Sequence, residues 1–346
     1  MPVLPIVAPK RMWNQYEMNQ TIMAITNKNK NTNQGPLDIK YKMTEEDRQM
    51  YEEALAYDRE MELRSEQARL QDPTYAEQVT EYATDPMLVE EYEDEIFEHL
   101  RKAELETLAD PDYVSNHTDI SWKMRGVLVD WVIEIHYIFQ LLPETLFLAV
   151  NIIDRFLSKR VVALSKLQLV GIAALLIATK FEEVSSPRLK DFIWMTDRSL
   201  KEEELIKAER FVVQVLDFKL CYANPLNFLR RVSKTHYEVH SRMLSKYFME
   251  ISCVDHRFIA IPPSKVAAAA LWLSQRILTN GTWTEEISRL AGYKASDIRP
   301  VVQLMLDYVA QPVVHDAFFR KWASKKLMKA SVFVRKWVKQ YYKVTK

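Results

Sequence analysis

The chemistry-bearing residues of this chain begin with a conflict in S-W-K-M-R-G-V-L-V-D-W-V-I-E-I-H, residues 121 to 136. A helix this apolar on nearly every side is buried, so Arg125 and Asp130 need partners, with Trp131 and Glu134 one turn apart. His236 and His240, at helical i,i+4 spacing with Asp255 and His256 further on, form the best metal candidate. Zinc needs a cysteine or a third ligand at short spacing, and none follows, so a solvated or capped pair is expected and no metal. Acids are paired at Glu182 and Glu183 and crowded in K-E-E-E at 201 to 204. The second group suits the first turn of a helix, where acids favour the dipole. The first follows Lys180 and Phe181, and an aromatic between charges suggests a contact surface. Phosphate-binding glycine loops, H-E-x-x-H and G-x-S-x-G are all missing, so no catalytic residue and no cofactor is expected.

The elements that would position these residues are helices. Only 5 glycines occur in 346 residues. Alanine, leucine, glutamate and lysine dominate, which favours helices and leaves few strand turns. Residues 1 to 43 read as disordered, 44 to 84 as a charged, partly helical linker, and Pro86 as the first position of a helix with apolar residues at Leu88, Tyr92, Ile96 and Leu100. This helix is expected to pack on the domain that follows it. Five helices are predicted at about 121–140, 143–159, 165–181, 187–196 and 200–217, bounded by Pro143, Ser165, the S-S-P run and Asp197. Five more are predicted at 225–234, 237–253, 263–279, 284–291 and 296–310. In both sets the third helix is alanine-rich, which suits a central helix closely surrounded by four others. The reading is all-α, one five-helix design used twice, over 85–220 and 221–312.

Residues 313 to 346 form a basic segment whose Phe318, Trp322, Leu327, Ala330, Phe333, Val334 and Trp337 recur at near-helical spacing. One helix is expected there, packed on the two folds with its lysines and arginines in water. Lys+Arg and Asp+Glu balance at 47 each, which speaks against a nucleic-acid or membrane-surface partner. The balance hides 23 acids against 6 bases in residues 44–112 and 10 bases against no acid in 317–346. Two cysteines without metal or disulfide spacing suit a reducing compartment. No signal peptide is evident and no apolar run is expected to span a membrane.

The blocks W-K-M-R-G-V-L-V-D-W-V-I-E-I-H, L-L-P-E-T-L-F-L-A-V-N-I-I-D-R-F-L-S, K-L-Q-L-V-G-I-A-A-L-L-I-A-T-K-F-E-E and N-P-L-N-F-L-R-R-V-S-K resemble B-type, mitotic cyclins, especially fungal ones. The resemblance runs from about residue 85 to 340. It implies two tandem cyclin folds, a non-catalytic subunit that activates a cyclin-dependent kinase as its heterodimer partner, and a place in the nucleus and cytoplasm. It also implies an interior ion pair between Arg125 and Asp154. Lys180 and Glu209 match residues that reach the kinase backbone, and Phe181, Val213, Phe218 and Leu220 match the apolar surface under the kinase C helix, with Glu182 beside them. Met124, Val127, Leu128, Trp131 and Glu134, with Leu167 and Gln168, match an exposed docking patch for substrates and inhibitors with an Arg-x-Leu-type peptide, whose arginine points to Glu134.

The family's usual R-x-x-L destruction box is missing before residue 120, so recognition by a ubiquitin ligase would need a variant signal, another protein or residues beyond this sequence. Action at S phase or in meiosis is the nearest alternative. A transcription factor of the TFIIB kind also uses two such folds, but no cysteine precedes Cys221 to build its zinc ribbon.

Overall fold

The computed structural model describes residues 90–233, 239–279 and 282–341. Among them thirteen α-helices and no strand occur. Helix α1 (Glu93–Glu106) precedes a first set of five, α2 (Trp122–Ile138), α3 (Pro143–Lys159), α4 (Leu167–Glu182), α5 (Leu189–Met195) and α6 (Glu202–Val215). A second set follows as α7 (Pro225–Val232), α8 (Val239–Val254), α9 (Pro263–Thr279), α10 (Glu285–Ala291) and α11 (Ala295–Ala310), then α12 (Asp316–Trp322) and α13 (Ala330–Tyr341).

Local chemistry explains these boundaries. Ser121 caps α2 by accepting from the Met124 amide, Asn224 caps α7 ahead of Pro225, and Thr284 caps α10 by accepting from Ile287. Helix α10 stops at Gly292, whose φ of 72° most other residues would resist. In each set the alanine-rich helix, α4 or α9, is the buried centre. At the crossing of α2 and α4, a Cβ on Gly171 would lie 2.8 Å from Leu128 Cδ1, so the two helices touch there.

Three expectations need correction. Residues 164–182 are long and apolar enough to cross a membrane by length and composition, and their apolarity is that of a core helix, because most of the stretch is buried. Helix α1 packs on the second set rather than the first. Phe97 meets Phe228 with ring centroids 5.7 Å apart, Arg231 bonds Asp94, and buried Glu104 accepts from Ser264 N (2.9 Å) and Oγ (2.8 Å) at the start of α9. The buried face is thus Phe97, Leu100, Ala103 and Glu104, while Tyr92 and Ile96 are exposed and Leu88 lies outside the described residues.

The basic C-terminal segment is two helices broken by Met328 and Lys329, both left-handed. Its apolar residues are buried or half-buried, Phe318, Trp322, Ala330 and Val334 completely so. Lys321 departs from the expectation of solvated cations: it is buried, with Nζ 2.7 and 2.8 Å from the two Glu250 oxygens on α8. A charge taken from water this far must be paired, and Glu250 is its partner.

Candidate functional site

Residues 1–89 and 234–238, and with them His236, lie outside the described residues, and His240 stands at the start of α8. Among the described residues no group of three or more His, Cys, Asp or Glu could hold a metal ion.

The charges of α2 find their partners in other elements. Arg125 is fully buried and makes two 2.7 Å bonds to Asp154 of α3, from Nε and Nη2. Its Nη1 donates to the Cys253 carbonyl at 2.8 Å, at the end of α8, so one guanidinium joins the two five-helix sets. Tyr113 Oη donates to the same carboxylate at 2.9 Å. Burial opposes the Arg125 charge, and Asp154 outweighs it, holding the guanidinium pKa above its ordinary value. Close by, Trp122 stacks on His256 of the second set at 4.7 Å.

Asp130 accepts from the Ala317 and Phe318 amides at 3.0 and 2.8 Å, capping α12 from another helix. Burial outweighs those two bonds and pushes its carboxyl up to about 6. Sequence reasoning missed this role. A signal existed, because Gly126, Asp130 and Glu134 are four apart and form a small and acidic stripe on one face of an apolar helix.

That face changes the reading of the docking patch. Met124, Leu128, Trp131, Leu167 and Gln168 are buried, Leu128 completely and Trp131 to 5% exposure, so they do not form an exposed patch. The stripe is shared with the core: Leu128 lies under Gly171 of α4. Only Val127 and Glu134 are half-buried, and Glu134 is bonded by Arg320 of α12 at 3.4 Å. Gln168 remains unusual, because both its amide oxygen and nitrogen are buried without a hydrogen-bond partner. An unmet amide of this kind costs about 1–3 kcal/mol.

Residues expected at the kinase contact lie at the C-terminal end of α4, on the middle and last turn of α6 and in the turn that follows it. Lys180 Nζ is 2.5 Å from Glu209 Oε1, tying the two helices together. Phe181 is 49% exposed and Val184, which the sequence reading did not single out, is fully exposed. Val213 and Leu220 are half-buried. After α6 the chain turns through Asp217 and Phe218, with φ of 52° and 57°, and Phe218 is 72% exposed. A left-handed aromatic costs about 1–3 kcal/mol and persists only where its surroundings impose it. Here the Phe218 amide donates to the Val213 carbonyl at 3.0 Å, which closes the turn and leaves the ring outside.

The two acids beside this surface divide in role. Glu183 accepts from Leu142 N (2.8 Å) and Thr145 Oγ1 (2.5 Å), so it caps α3. Glu182 is half-buried, its pKa raised by burial and by the nearby Glu144 and Glu183 carboxylates. Glu204 of the K-E-E-E run accepts from the Lys201 amide at 3.2 Å, as a first-turn acid does. Phe211, also unforeseen, lies beside a groove of about 460 Å³ with Val161, Leu169 and Ala208.

His136, on α2, supplies a pH handle. Its Nε2 donates to the Leu142 carbonyl at 2.8 Å, Nδ1 is buried without a partner, and burial, with Lys321 nearby, pushes its pKa down to about 3. The unfolded chain therefore binds the proton more tightly. Stability from neutral His136 is full above about pH 6.5 and is lost as pH falls towards 3, reaching about 2 kcal/mol of loss by pH 5. Asp130 acts with the opposite sign, its raised pKa favouring the folded state at low pH. Comparing wild type with His136→Gln isolates the histidine: on going from pH 7 to 5 the wild type should lose more melting temperature. Equal losses would contradict the assignment.

Models of the cyclin N-terminal and C-terminal domains match residues 95–221 and 223–336. The G2/mitotic-specific cyclin-B of Emericella nidulans is 52% identical over 264 residues, covering 76% of this chain and 55% of the relative. The G2/mitotic-specific cyclin cdc13 of Schizosaccharomyces pombe is 51% identical over 257 residues, covering 74% and 53%. The chain thus spans about half the length of these curated relatives. A viral cyclin from herpesvirus saimiri shares the fold with a TM-score of 0.58 at 18% identity, over 63% of this chain and 98% of that one.

Proposed function

This chain belongs to the cyclin family, and from that premise we propose that it is a regulatory subunit that binds and activates a cyclin-dependent Ser/Thr kinase and acts at the G2/M transition. The observation that carries the reading is that Phe181 at the end of α4 and Phe218 in the turn after α6 stand exposed, while Lys180 and Glu209 tie the two helices together. Exposed aromatics rimmed by charge mark contact sites on proteins. Lys180, Phe181, Glu182, Glu209, Val213, Phe218 and Leu220 would receive the kinase's mobile C helix. The aromatics would supply buried area and the two charges its orientation.

The chain contributes no catalytic group in this account. Activation follows from differential affinity: the surface binds the arrangement in which the kinase's own lysine and glutamate pair, and so shifts its population. A nuclear and cytoplasmic location, and destruction through a ubiquitin ligase, belong to the same proposal. Co-elution of the full chain with a purified cyclin-dependent kinase as a one-to-one complex tests it. Separate elution at micromolar concentration would refute it.

Substrate recruitment is the second part of the proposal, through a shallower surface than the sequence suggested, the half-buried Val127 and Glu134. Val127→Glu should lower kcat/KM on substrates carrying an Arg-x-Leu peptide about tenfold, the size of one apolar contact replaced by a charge. Short substrates without the peptide should be spared, and melting measured alongside separates loss of docking from loss of packing, since Val127 also packs against the core. Equal losses on both substrate types would remove the docking role.

A further inference from the structure

We propose, resting on the docking reading above, that Arg320 is a specificity-determining residue of the docking surface, holding the Glu134 carboxylate that would otherwise receive the arginine of a docking peptide. Helix α12 delivers it there. The Asp130 carboxylate fixes the Ala317 and Phe318 amides in the first turn of α12, and His315 just before it lies on Gly126, its Nε2 2.6 Å from where a Cβ would stand. One turn further along, Arg320 places Nη2 3.4 Å from Glu134 Oε1 and Nε 2.8 Å from Asp316 Oδ2. One guanidinium therefore engages two carboxylates.

A peptide arginine arriving at Glu134 must displace Arg320, exchanging one arginine–carboxylate contact for another. The exchange gains little, so arginine adds little to affinity, and selection falls on the apolar residue and backbone of the peptide. Arg320 is 58% exposed in its side chain and Glu134 only 12%, so the arginine is the member of the pair that can leave. Without it, Glu134 and Asp316 would present two carboxylates to an incoming cation, and a peptide arginine would gain a full charge-assisted contact.

The test uses the full chain and two fluorescent peptides that differ only in Arg or Ala at the first position of an Arg-x-Leu motif. Anisotropy should show wild type binding both within about twofold, and Arg320→Ala favouring the arginine peptide by about tenfold, one charge-assisted hydrogen bond. Arg320→Met, which keeps an unbranched apolar stem and removes the charge, should show the same preference with unchanged melting, separating loss of the charge from loosening of α12. A tenfold arginine preference in wild type, or an unchanged ratio in both variants, overturns the role of Arg320 and leaves the docking surface standing. Binding of neither peptide by any of the three proteins overturns the docking reading itself and this proposal with it.

Discussion

Arg125→Ala should destabilise the chain by about 3–5 kcal/mol, the usual cost of removing one member of a buried ion pair. The loss is large because the guanidinium has no substitute. Without it the Asp154 carboxylate keeps only the Tyr113 hydroxyl among its described donors, and the Cys253 carbonyl loses its 2.8 Å donor. Water cannot fill the gap cheaply, since Arg125 is fully buried. The variant should also loosen the two folds from each other, because the same side chain bonds α3 and the end of α8. Replacing both partners, as Arg125→Met with Asp154→Leu, should cost less than Arg125→Ala alone, because no buried charge is then stranded. Urea unfolding measures both variants. A single variant within about 1 kcal/mol of wild type, on a scale where surface changes fall within about 0.5, would contradict the account.

The second large effect is expected at the proposed kinase surface. Lys180→Ala with Glu209→Ala should weaken kinase binding by roughly 2–5 kcal/mol, if both charges are desolvated in the complex. In the free chain the two bond each other, with the lysine about half exposed, and such a pair contributes at most about 1 kcal/mol. The variant should therefore melt close to wild type while binding is lost. This contrast separates these two ion pairs: Arg125–Asp154 acts on folding and Lys180–Glu209 on association. Calorimetric titration of the kinase with both proteins reads the difference. Unchanged affinity would remove Lys180 and Glu209 from the interface.

Helix positions were legible because they rest on local chemistry. Pro143 opens α3, Asn224 and Pro225 open α7, and Gly292 closes α10, each at the place the pattern suggests. Partners across the chain were less legible, since nothing local marks them. Chain order placed α1 beside the first fold, yet Glu104 caps α9, 160 residues away. Lys321 reads as one more solvated lysine in a basic segment until Glu250 of α8 is found against it. The break at Met328 and Lys329 carries no glycine or proline to announce it. Of the site, the residues proposed to meet a kinase came from resemblance, and their placement on α4, α6 and the turn after α6 comes from the structure. The docking stripe shows why spacing alone is ambiguous: a helix face at 3 and 4 spacing can serve the core, and five of those seven side chains do.

Kinase activity titrated with this chain tests the central claim most directly. A purified cyclin-dependent kinase, phosphorylated on its activation loop, is mixed with increasing full-length chain, and the rate of histone phosphorylation is recorded. The account predicts a rate that rises steeply from near background and saturates at one chain per kinase, with the Lys180→Ala, Glu209→Ala variant failing to raise it at the same concentrations. A rate that stays at background with saturating wild-type chain, or one raised equally by the folded double variant, would contradict it.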